Sequence, residues 1–468
     1  MKKPFLSAAD NAEPAALDGM FDGVKPEKVS KKTVLGITER IIRDNGKSAK
    51  KLSVKRLISV TASVLCFSLL ITAVALMLNS AGKIKALDLM QDIEPQNLGR
   101  KQPVSEADAA KVTDFAVRLF KQSAQSKDNA LISPLSLLCA LAMTANGAEG
   151  ETLEQTEQTL GMSKDELNTF FRSYLDSLKN NENCKFELAN SVWFKDGFTV
   201  DRGFLQCNAD HYGASAYQTP FDKSALHDIN NWANNKTDGM IREILDKIPE
   251  DAVMYLVNAL CFDAEWENKF KFTDIHNAEF TKETGEKCKV KMMSSEETVY
   301  LDDGKATGFL KYYKGRRYAF AAMLPNEGVT LDEYIASLDG QAVYGMLSDK
   351  TYISVGIQMP KFKYEYGAEM SDTLKSMGMS KAFDGGAAEF NGIGKSDRGN
   401  IFINSVIHKT YISVDEAGTK AGAITVIEMG ERAGGPSVFV TLDRPFVYML
   451  VDTETNIPFF IGTVTDIS

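Results

Sequence analysis

A run of 22 residues without a charge, Leu57 to Leu78, separates a polar N-terminal region from a long body of alternating apolar and polar stretches. As a helix with a rise of about 1.5 Å per residue it would be about 33 Å long, enough to cross a hydrocarbon core of about 30 Å. The 15 residues before it hold six Lys and Arg, and the 15 after it hold two. This asymmetry predicts a transmembrane helix with the N-terminus in the cytoplasm and the body outside the cell.

Two other interpretations of the apolar run stay open. A buried core helix rarely reaches this length with such basic flanks. A cleaved signal peptide has a shorter apolar region, about 7–15 residues, and a cleavage site of small residues, for which Asn79-Ser80-Ala81 is a weak match. A retained signal anchor, which would make this a single-pass membrane protein, is the favoured interpretation.

The regions on either side of the predicted anchor differ in composition. Residues 1–56 carry 13 Lys and Arg against 7 Asp and Glu, and we expect a largely disordered, basic cytoplasmic tail. Residues 79–103 include Pro95 and Pro103 among polar residues and are predicted to be a juxtamembrane stalk. Residues 104–468 contain no obvious linker or internal repeat, which indicates one folded domain.

Helical periodicity dominates the first part of this domain, and strand patterns dominate the rest. Apolar spacing predicts a helix over Asp108–Gln122, and Ser133-Pro134 predicts the start of a second helix that ends near Thr144. Further helices are expected near residues 151–159, 164–179 and 201–211. Strands are predicted over Phe186–Phe194, Val253–Phe262, Tyr318–Leu324 and Ile353–Pro360, with a final hairpin over Phe446–Val451 and Phe459–Val464. Early helices followed by antiparallel strands indicate an α+β fold.

The charge balance and the rare residues narrow the range of functions. After the tail, 40 Lys and Arg stand against 56 Asp and Glu, a net charge of −16, so a clustered cationic surface for nucleic acid is not expected. Four His and six Cys in 468 residues offer little for a metal centre or a disulfide scaffold. We therefore expect no nucleic-acid partner, no metal and no cofactor.

No familiar catalytic motif is complete in the body. The segment Gly213–Tyr217 lacks the final Gly of a nucleophile elbow, and the Gly-Lys-Ser at 394–396 has Glu389 where a phosphate loop has Gly. The HExxH, CxxC and GxGxxG patterns are also missing from the sequence. Because a catalytic triad is assembled in space and not in sequence, an enzyme stays the minor alternative.

The segment from Asp415 to Thr425 has an unusual alternation of side chains. Read as a strand, one face would carry only small or β-branched uncharged residues: Thr419, Ala421, Ala423 and Thr425. That face could be buried without leaving a charge unpaired, and no Pro interrupts the segment. The composition suits a stretch that is a loop in one state and a central strand in another. An Ala- and Gly-rich surface loop is the alternative.

This segment resembles the reactive-loop hinge of the serpins, a family of inhibitors that trap serine proteases. The resemblance extends over about residues 105–468. Its other motifs are NALISPLS at Asn129–Ser136, LANSVWF at Leu188–Phe194, INNWANNKTDGMI at Ile229–Ile241, LVNALCFDAEW at Leu256–Trp266, RPFV at Arg444–Val447 and PFFIG at Pro458–Gly462. The resemblance implies a serpin fold with mixed and antiparallel sheets, about eight to nine helices and an exposed reactive-centre loop.

The mechanism that the resemblance implies makes the protein a suicide substrate and not an enzyme. A serine protease attacks the loop and forms a covalent acyl-enzyme. Cleavage then lets the hinge enter the main sheet as a new strand, which drags the protease away and distorts its catalytic site. The hinge residues carried over from the family are Glu416, Gly418, Thr419, Ala421, Ala423 and Thr425. We expect serine proteases as covalent partners of a monomeric inhibitor.

The same resemblance gives the position of the bait. In inhibitory serpins the scissile residue lies about sixteen positions after the hinge glutamate, which in this chain leads from Glu416 to Arg432 and to a reactive bond Arg432–Ala433. A long cation suits the acidic pocket of trypsin-like proteases. This position comes from the count that starts at Glu416, and the span from Arg432 to Pro445 does not check it. Glu431 and Met429 therefore stay open as alternative bait residues. Met429 would suit elastase- or chymotrypsin-like enzymes.

Other positions match residues that control the main sheet in serpins. Four of them match the family's central polar cluster, called the sheet-opening cluster below: Ser133, Ser136, Asn258 and His408. Trp266 matches the aromatic residue at the head of the sheet, where insertion begins. A hydrogen-bonded core histidine and simple core packing are the plain alternatives.

The chain departs from the family's pattern at Lys420, where a hinge acid is usual, at Gly422 and at Thr463. Lys420 and Gly422 are expected on the outward face of the hinge, so inhibition should survive. The acidic or mixed helices over residues 151–179 predict no heparin-like cofactor site. The rival interpretation is a serpin-fold protein that does not inhibit and acts as a binding or scaffold protein. The small, uncharged hinge face argues against it.

Overall fold

The computed structural model describes residues 84–99, 102–124, 128–178, 184–248, 252–397, 399–419 and 436–467. The described residues from Ile84 onward belong to one packed unit. The predicted tail, residues 1–56, and the predicted anchor, residues 57–78, lie outside the described residues. Within the described ranges, no helix is both long enough and apolar enough to cross a membrane.

Nine α-helices lie in the described ranges, in agreement with the eight to nine expected. They are α1 (Glu106–Ser123), α2 (Pro134–Ala145), α3 (Gly150–Leu160), α4 (Lys164–Ser177), α5 (Arg202–Tyr212), α6 (Lys223–Lys236), α7 (Leu331–Ser337), α8 (Gly340–Ser348) and α9 (Ser371–Ser376). The Ser105 side chain caps α1 by accepting a hydrogen bond from the Asp108 N–H. α2 begins at Pro134 directly after Ser133, as predicted, and all its residues are buried.

Eighteen strands lie in the same ranges. They are β1 (Leu87–Asp88), β2 (Leu131–Ile132), β3 (Cys184–Lys195), β4 (Phe198–Val200), β5 (Ser215–Thr219), β6 (Met254–Glu265), β7 (Ile275–Thr281), β8 (Lys287–Asp302), β9 (Ala306–Tyr312), β10 (Tyr318–Pro325), β11 (Thr351–Pro360), β12 (Phe362–Glu369), β13 (Gly394–Ser396), β14 (Ile407–Val414), β15 (Gly418–Thr419), β16 (Val438–Thr441), β17 (Phe446–Asp452) and β18 (Ile457–Val464). The predicted strands correspond to β3, β6, β10 and β11, and the predicted hairpin is the antiparallel pair β17–β18.

The strands form two large sheets. The first sheet has the order β1-β5-β3-β6-β15-β14-β12. The second sheet has the order β16-β11-β8-β9-β10-β17-β18-β2, with β7 paired to β8. Most pairs are antiparallel, whereas β3–β5 and β11–β16 are parallel. The predicted α+β class with mixed sheets is therefore confirmed.

Apolar side chains cover both faces of the first sheet. The larger apolar cluster includes α2 and residues of both sheets, among them Phe320 and Tyr448, whose rings stack 5.4 Å apart. The smaller cluster packs Ile229 and Trp232 of α6 with Trp193 of β3. The first sheet is thus a central layer, which suits a strand that must be buried on both sides.

Residues 84–99, which we expected to belong to a stalk, are part of the folded body. β1 pairs with β5 at the edge of the first sheet, and the backbone N–H groups of Lys85 and Ala86 donate to Asp228 Oδ2 of α6 at 2.9 and 2.8 Å. Ile93 is buried in the main apolar cluster. The sequence suggested a stalk because a two-residue strand has too little periodicity to be recognised, and its partners lie far away in the chain.

Candidate functional site

The hinge begins inside the first sheet. After β14 ends at Val414, the chain turns through three residues and returns as β15, where Thr419 pairs with Val414 on one side and with Ala264 on the other. Thr419 is only 3% exposed. β15 is antiparallel to both neighbours, so Gly418 and Thr419 form the first residues of a strand between β6 and β14.

Gly418 lies where a side chain would not fit. A Cβ atom on this residue would be 2.0 Å from the carbonyl oxygen of Ala264 and 2.9 Å from the Cα of Glu265. Both neighbours are backbone atoms of β6 and cannot rotate away. The close approach of the hinge to β6 therefore requires glycine at this position.

The turn before β15 is held by Asp415, a residue that the sequence analysis did not single out. Asp415 Oδ1 accepts hydrogen bonds from the N–H groups of Ala417 and Gly418, at 2.8 and 3.2 Å. The Asp415 N–H donates to the Gly418 carbonyl at 3.0 Å. An Asp that bonds to its own backbone two or three residues later is a common turn former, so its place at the start of the hinge could have identified it.

Trp266 supports this turn with both its backbone and its ring. The indole Nε1–H donates to the Asp415 carbonyl at 2.8 Å, and the Trp266 N–H donates to the Ala417 carbonyl at 2.9 Å. The ring is buried and stacks on Tyr313 at 4.4 Å. The Tyr313 hydroxyl in turn hydrogen-bonds to the Thr419 hydroxyl. Trp266 thus lies at the end of the sheet where β15 starts.

Glu416 forms an ion pair with Lys361, which lies between β11 and β12. Partial burial would raise the pKa of Glu416, but the hydrogen bond and charge of Lys361, together with a backbone hydrogen bond, outweigh it and hold the pKa below its usual value. The Glu416 carbonyl also accepts from the Phe270 N–H at 3.1 Å. The glutamate therefore fixes the turn to two neighbouring segments.

A buried ion pair lies beneath this end of the sheet. Lys311 of β9 is 1% exposed, and its Nζ lies 2.5 Å from Glu297 Oε1 and 2.9 Å from the Asn268 carbonyl. The ammonium group also lies 4.3 Å from the centre of the Phe270 ring. Nothing in the sequence pattern of β8 and β9 indicated this pair, because the two residues lie on different strands and meet only in the folded structure.

Below Thr419, no backbone ladder joins β6 to β14 among the described residues. β6 pairs with β3 along its length and with β15 only at Ala264 and Glu265, while β14 pairs with β12 and meets β15 only at Val414. The boundary between the strands β6 and β14, which starts at β15 and runs along both strands, is called the slot here. A strand inserted along it would gain ladder hydrogen bonds with a net value of about 0.5–1.5 kcal/mol each.

The sheet-opening cluster lies on both sides of the slot but is not one network. The Ser133 N–H donates to His408 Nε2 at 3.0 Å, and burial lowers the pKa of His408 to about 4. His408 is therefore neutral at pH 7, with Nε2 as an acceptor. Asn258, on β6, donates instead to Asn190 Oδ1 on β3. Ser136 is buried in α2.

The remaining predicted site residues lie outside the described residues: Ala421, Ala423, Thr425, Met429, Glu431, Arg432 and Ala433. Chain continuity places them between β15 and β16, because Pro436 is described and leads into β16. Among the described residues, no group of three or more His, Cys, Asp or Glu could hold a metal ion.

Comparison with known proteins identifies similar sequences and folds. A family model described as serpin (serine protease inhibitor) matches residues 110–467. An uncharacterized serpin-like protein of Thermococcus kodakarensis is 29% identical, over 78% of this chain and 86% of its own length. Human serpin I2 is 28% identical, over 77% of this chain and 92% of its own.

The crystal structure of the thermophilic serpin tengpin in its native state is 43% identical, with a TM-score of 0.79, and covers 82% of this chain and 100% of its own. The latent state of tengpin is 42% identical with a TM-score of 0.71, and covers 79% of this chain and 100% of its own.

Proposed function

Because the chain belongs to the serpin family of serine protease inhibitors, we propose that it inhibits its target protease as a suicide substrate and is not itself an enzyme. The observation that carries this proposal is the position of Gly418 and Thr419 at the head of the slot. A segment that already occupies the first position of a missing strand has a direct route to occupy the rest.

The dimensions of the slot support the proposal. β6, which borders it, has 12 residues and is therefore about 40 Å long. The 14 residues from Thr419 to Arg432 would span about 46 Å as a strand. Since successive side chains alternate, Ala421, Ala423 and Thr425 would follow Thr419 onto the buried face. The inserted segment would match β6 in length, and a protease joined to Arg432 would be carried along it.

The chemistry before insertion is that of an ordinary acylation. The serine Oγ of the protease attacks the Arg432 carbonyl carbon, and its proton passes through the protease's histidine to the nitrogen of Ala433. The Arg432–Ala433 bond breaks, and an ester between Arg432 and the protease remains. Insertion then competes with hydrolysis of this ester, and the inhibitor succeeds when insertion is faster.

The choice of Arg432 as bait rests on its spacing from Glu416, the residue that the turn at the sheet head fixes. An arginine side chain favours trypsin-like proteases, whose specificity pocket is acidic. Met429 and Glu431 are the alternative positions, and cleavage after Met429 would favour elastase- or chymotrypsin-like proteases.

We also propose that residues 57–78 anchor the protein in the cell membrane as a single span, with the N-terminus in the cytoplasm and the inhibitor domain outside. The proposal rests on the length of the apolar run and on the basic residues before it. Fractionation of cells tests it: the full chain should stay in the membrane pellet after alkaline extraction, and protease added outside intact cells should reach the body. Release into the soluble fraction would contradict the anchor.

The central experiment is a gel. The full-length chain is mixed with trypsin, and a complex that survives SDS is expected, with the cut after Arg432 mapped by mass spectrometry. Trypsin with its catalytic serine blocked should give no complex. Arg432→Ala should abolish the complex with trypsin, whereas Met429→Ala, the matched change at the alternative bait, should leave it intact.

Clean cleavage after Arg432 without a complex would contradict inhibition and favour a substrate or a binding protein with the same fold. A complex with a cut after Met429 would keep inhibition and move the bait.

A further inference from the structure

A shallow depression of about 400 Å³ lies on the second sheet, beside the point where the chain returns from the loop. Gly356, Ile357 and Gln358 of β11 form its floor. The strands β7, β8, β11 and β16 follow one another here, so the depression reaches across about 14 Å. Its lining also includes Pro436 and Phe439 near β16 and Asp274, His276, Ser294 and Ser295 on the side of β7 and β8.

An aromatic side chain covers one side of this depression and is open to solvent. Phe439 is 75% exposed, yet its ring rests on β11: a Cβ atom added to Gly356 would be 2.6 Å from its Cδ1. Pro436 is beside the same glycine, at 3.0 Å from that Cβ position. Phe272, in the turn that leads to Asp274, is 87% exposed. Phe272 does not line the depression, so Phe439 is the exposed aromatic group of this site. An exposed aromatic group beside a concave surface often marks an interaction surface.

The position of the depression connects it to the loop. Pro436 is four residues after Arg432, so the two residues are at most about 14 Å apart along the chain. A folded protease of about 200 residues has a radius of gyration of about 16 Å. A protease whose catalytic serine reaches the Arg432–Ala433 bond must therefore cover the surface around Pro436.

We propose that this depression, with Phe439 as its main contact, is a second docking site for the attacking protease, and the inference rests on the proposed function. It would take an apolar or aromatic side chain that borders the protease's cleft on the side of Ala433. Asp274 and His276 provide a polar rim, as is usual around an apolar contact. The contact stabilises the encounter complex before acylation and does not act on insertion, so Phe439 determines specificity and is not catalytic.

The test measures non-covalent binding of the full-length chain to trypsin whose catalytic serine is replaced by alanine. Phe439→Ser should weaken the dissociation constant about tenfold, the size expected for an aromatic residue at the centre of a contact. With active trypsin, the second-order rate of inhibition should fall by the same factor, while the number of inhibitor molecules consumed per protease stays constant. Leu98→Ser is the matched control, because Leu98 is also exposed, at 42%, and does not line the depression.

The outcomes separate the docking site from inhibition itself. Equal dissociation constants for the wild type and Phe439→Ser, or no binding at all, would overturn the docking site, even if the covalent complex forms. Tenfold weaker binding without any covalent complex would support the docking site and contradict inhibition. If the wild type is a dimer in solution and Phe439→Ser is a monomer, the depression holds a second copy of the chain, and the inference is overturned.

Discussion

Single residues at the head of the first sheet each have a definite physical task. Gly418 provides the close approach to β6 that no side chain permits. Asp415 closes the turn, and Trp266 holds it with two hydrogen bonds to its carbonyl groups. His408 differs from these residues, because it lies along the slot and is a buried titratable group whose charged form burial disfavours.

At the residue scale, we expect the stability of the protein to depend on pH through His408. Burial lowers the pKa of His408 to about 4, against about 6.5 in an unfolded chain, so the folded state binds this proton less readily. The stabilisation is complete above about pH 6.5 and is lost as the pH falls toward 4, by up to about 3 kcal/mol. The thermal unfolding midpoint, measured from pH 7.5 to 4.5, should fall more steeply for the wild type than for His408→Gln, which can still accept from Ser133. Parallel profiles would contradict this role.

A second prediction at this scale concerns Asp228, which binds the N-terminal segment to α6. Its Oδ2 accepts two backbone hydrogen bonds, and bonds to a charged group contribute about 1.5–3 kcal/mol. Asp228→Ala should therefore speed amide exchange at Lys85 and Ala86 by about tenfold or more.

Asp88→Ala is the control for this measurement, because the Asp88 side chain accepts a hydrogen bond from the Met90 N–H within the same segment and, among the described residues, forms no other. If Asp228→Ala leaves the exchange at Lys85 and Ala86 unchanged, the carboxylate does not hold the segment.

At the scale of elements, helices and strands whose pattern lies within one stretch of sequence were predictable. Contacts between residues that are far apart in the sequence were not. Ser133-Pro134 identified the start of α2, and β-branched runs identified β6, β11 and the β17–β18 hairpin. β1 was missed, because two residues carry no period and only the edge of β5 orders them. The Lys311–Glu297 pair was missed because its two residues lie on different strands, β9 and β8, and meet only in the folded structure.

The position of Thr419 in β15 allows a test of the predicted alternation between buried and outward-facing side chains in the hinge. Thr419 is buried and bonds to Tyr313, so Thr419→Arg would place an unpaired charge at the first position of the slot. We expect this variant to be cleaved by the target protease without forming the SDS-resistant complex. Lys420→Arg, on the face predicted to point outward, should keep the complex. Equal complex yields from both variants would contradict insertion along the Thr419 face.

At the scale of the whole molecule, the proposed mechanism requires two states of the first sheet, one without and one with the inserted strand. The sheet is covered on both faces, yet two of its long strands are not laddered to each other in the described residues. Under the proposed mechanism, a chain held in this state is less stable than one whose sheet has gained the inserted strand. The outcome of an encounter would then depend on how fast the hinge inserts relative to hydrolysis of the ester.

Cutting the loop should therefore stabilise the whole molecule. About ten additional ladder bonds, at about 1 kcal/mol each, would raise the unfolding midpoint of a body of this size by an amount on the order of 10 °C. Differential scanning calorimetry before and after cleavage measures the change directly. The Thr419→Arg variant should show little or no rise, and a cleaved wild type that unfolds at its original temperature would exclude insertion.

Each molecule has a single slot, and under the proposed mechanism this sets how a population of such molecules responds to a rising dose of protease. Under the proposed mechanism each copy acts once and cannot be used again. The amount of protease inhibited therefore equals the number of inhibitor molecules consumed and is not set by a dissociation constant. As long as copies outnumber protease molecules, almost no activity escapes. Once protease molecules outnumber inhibitor molecules, every added protease molecule stays active. The response therefore has a threshold, and the amount of inhibitor that the cell has made sets its position.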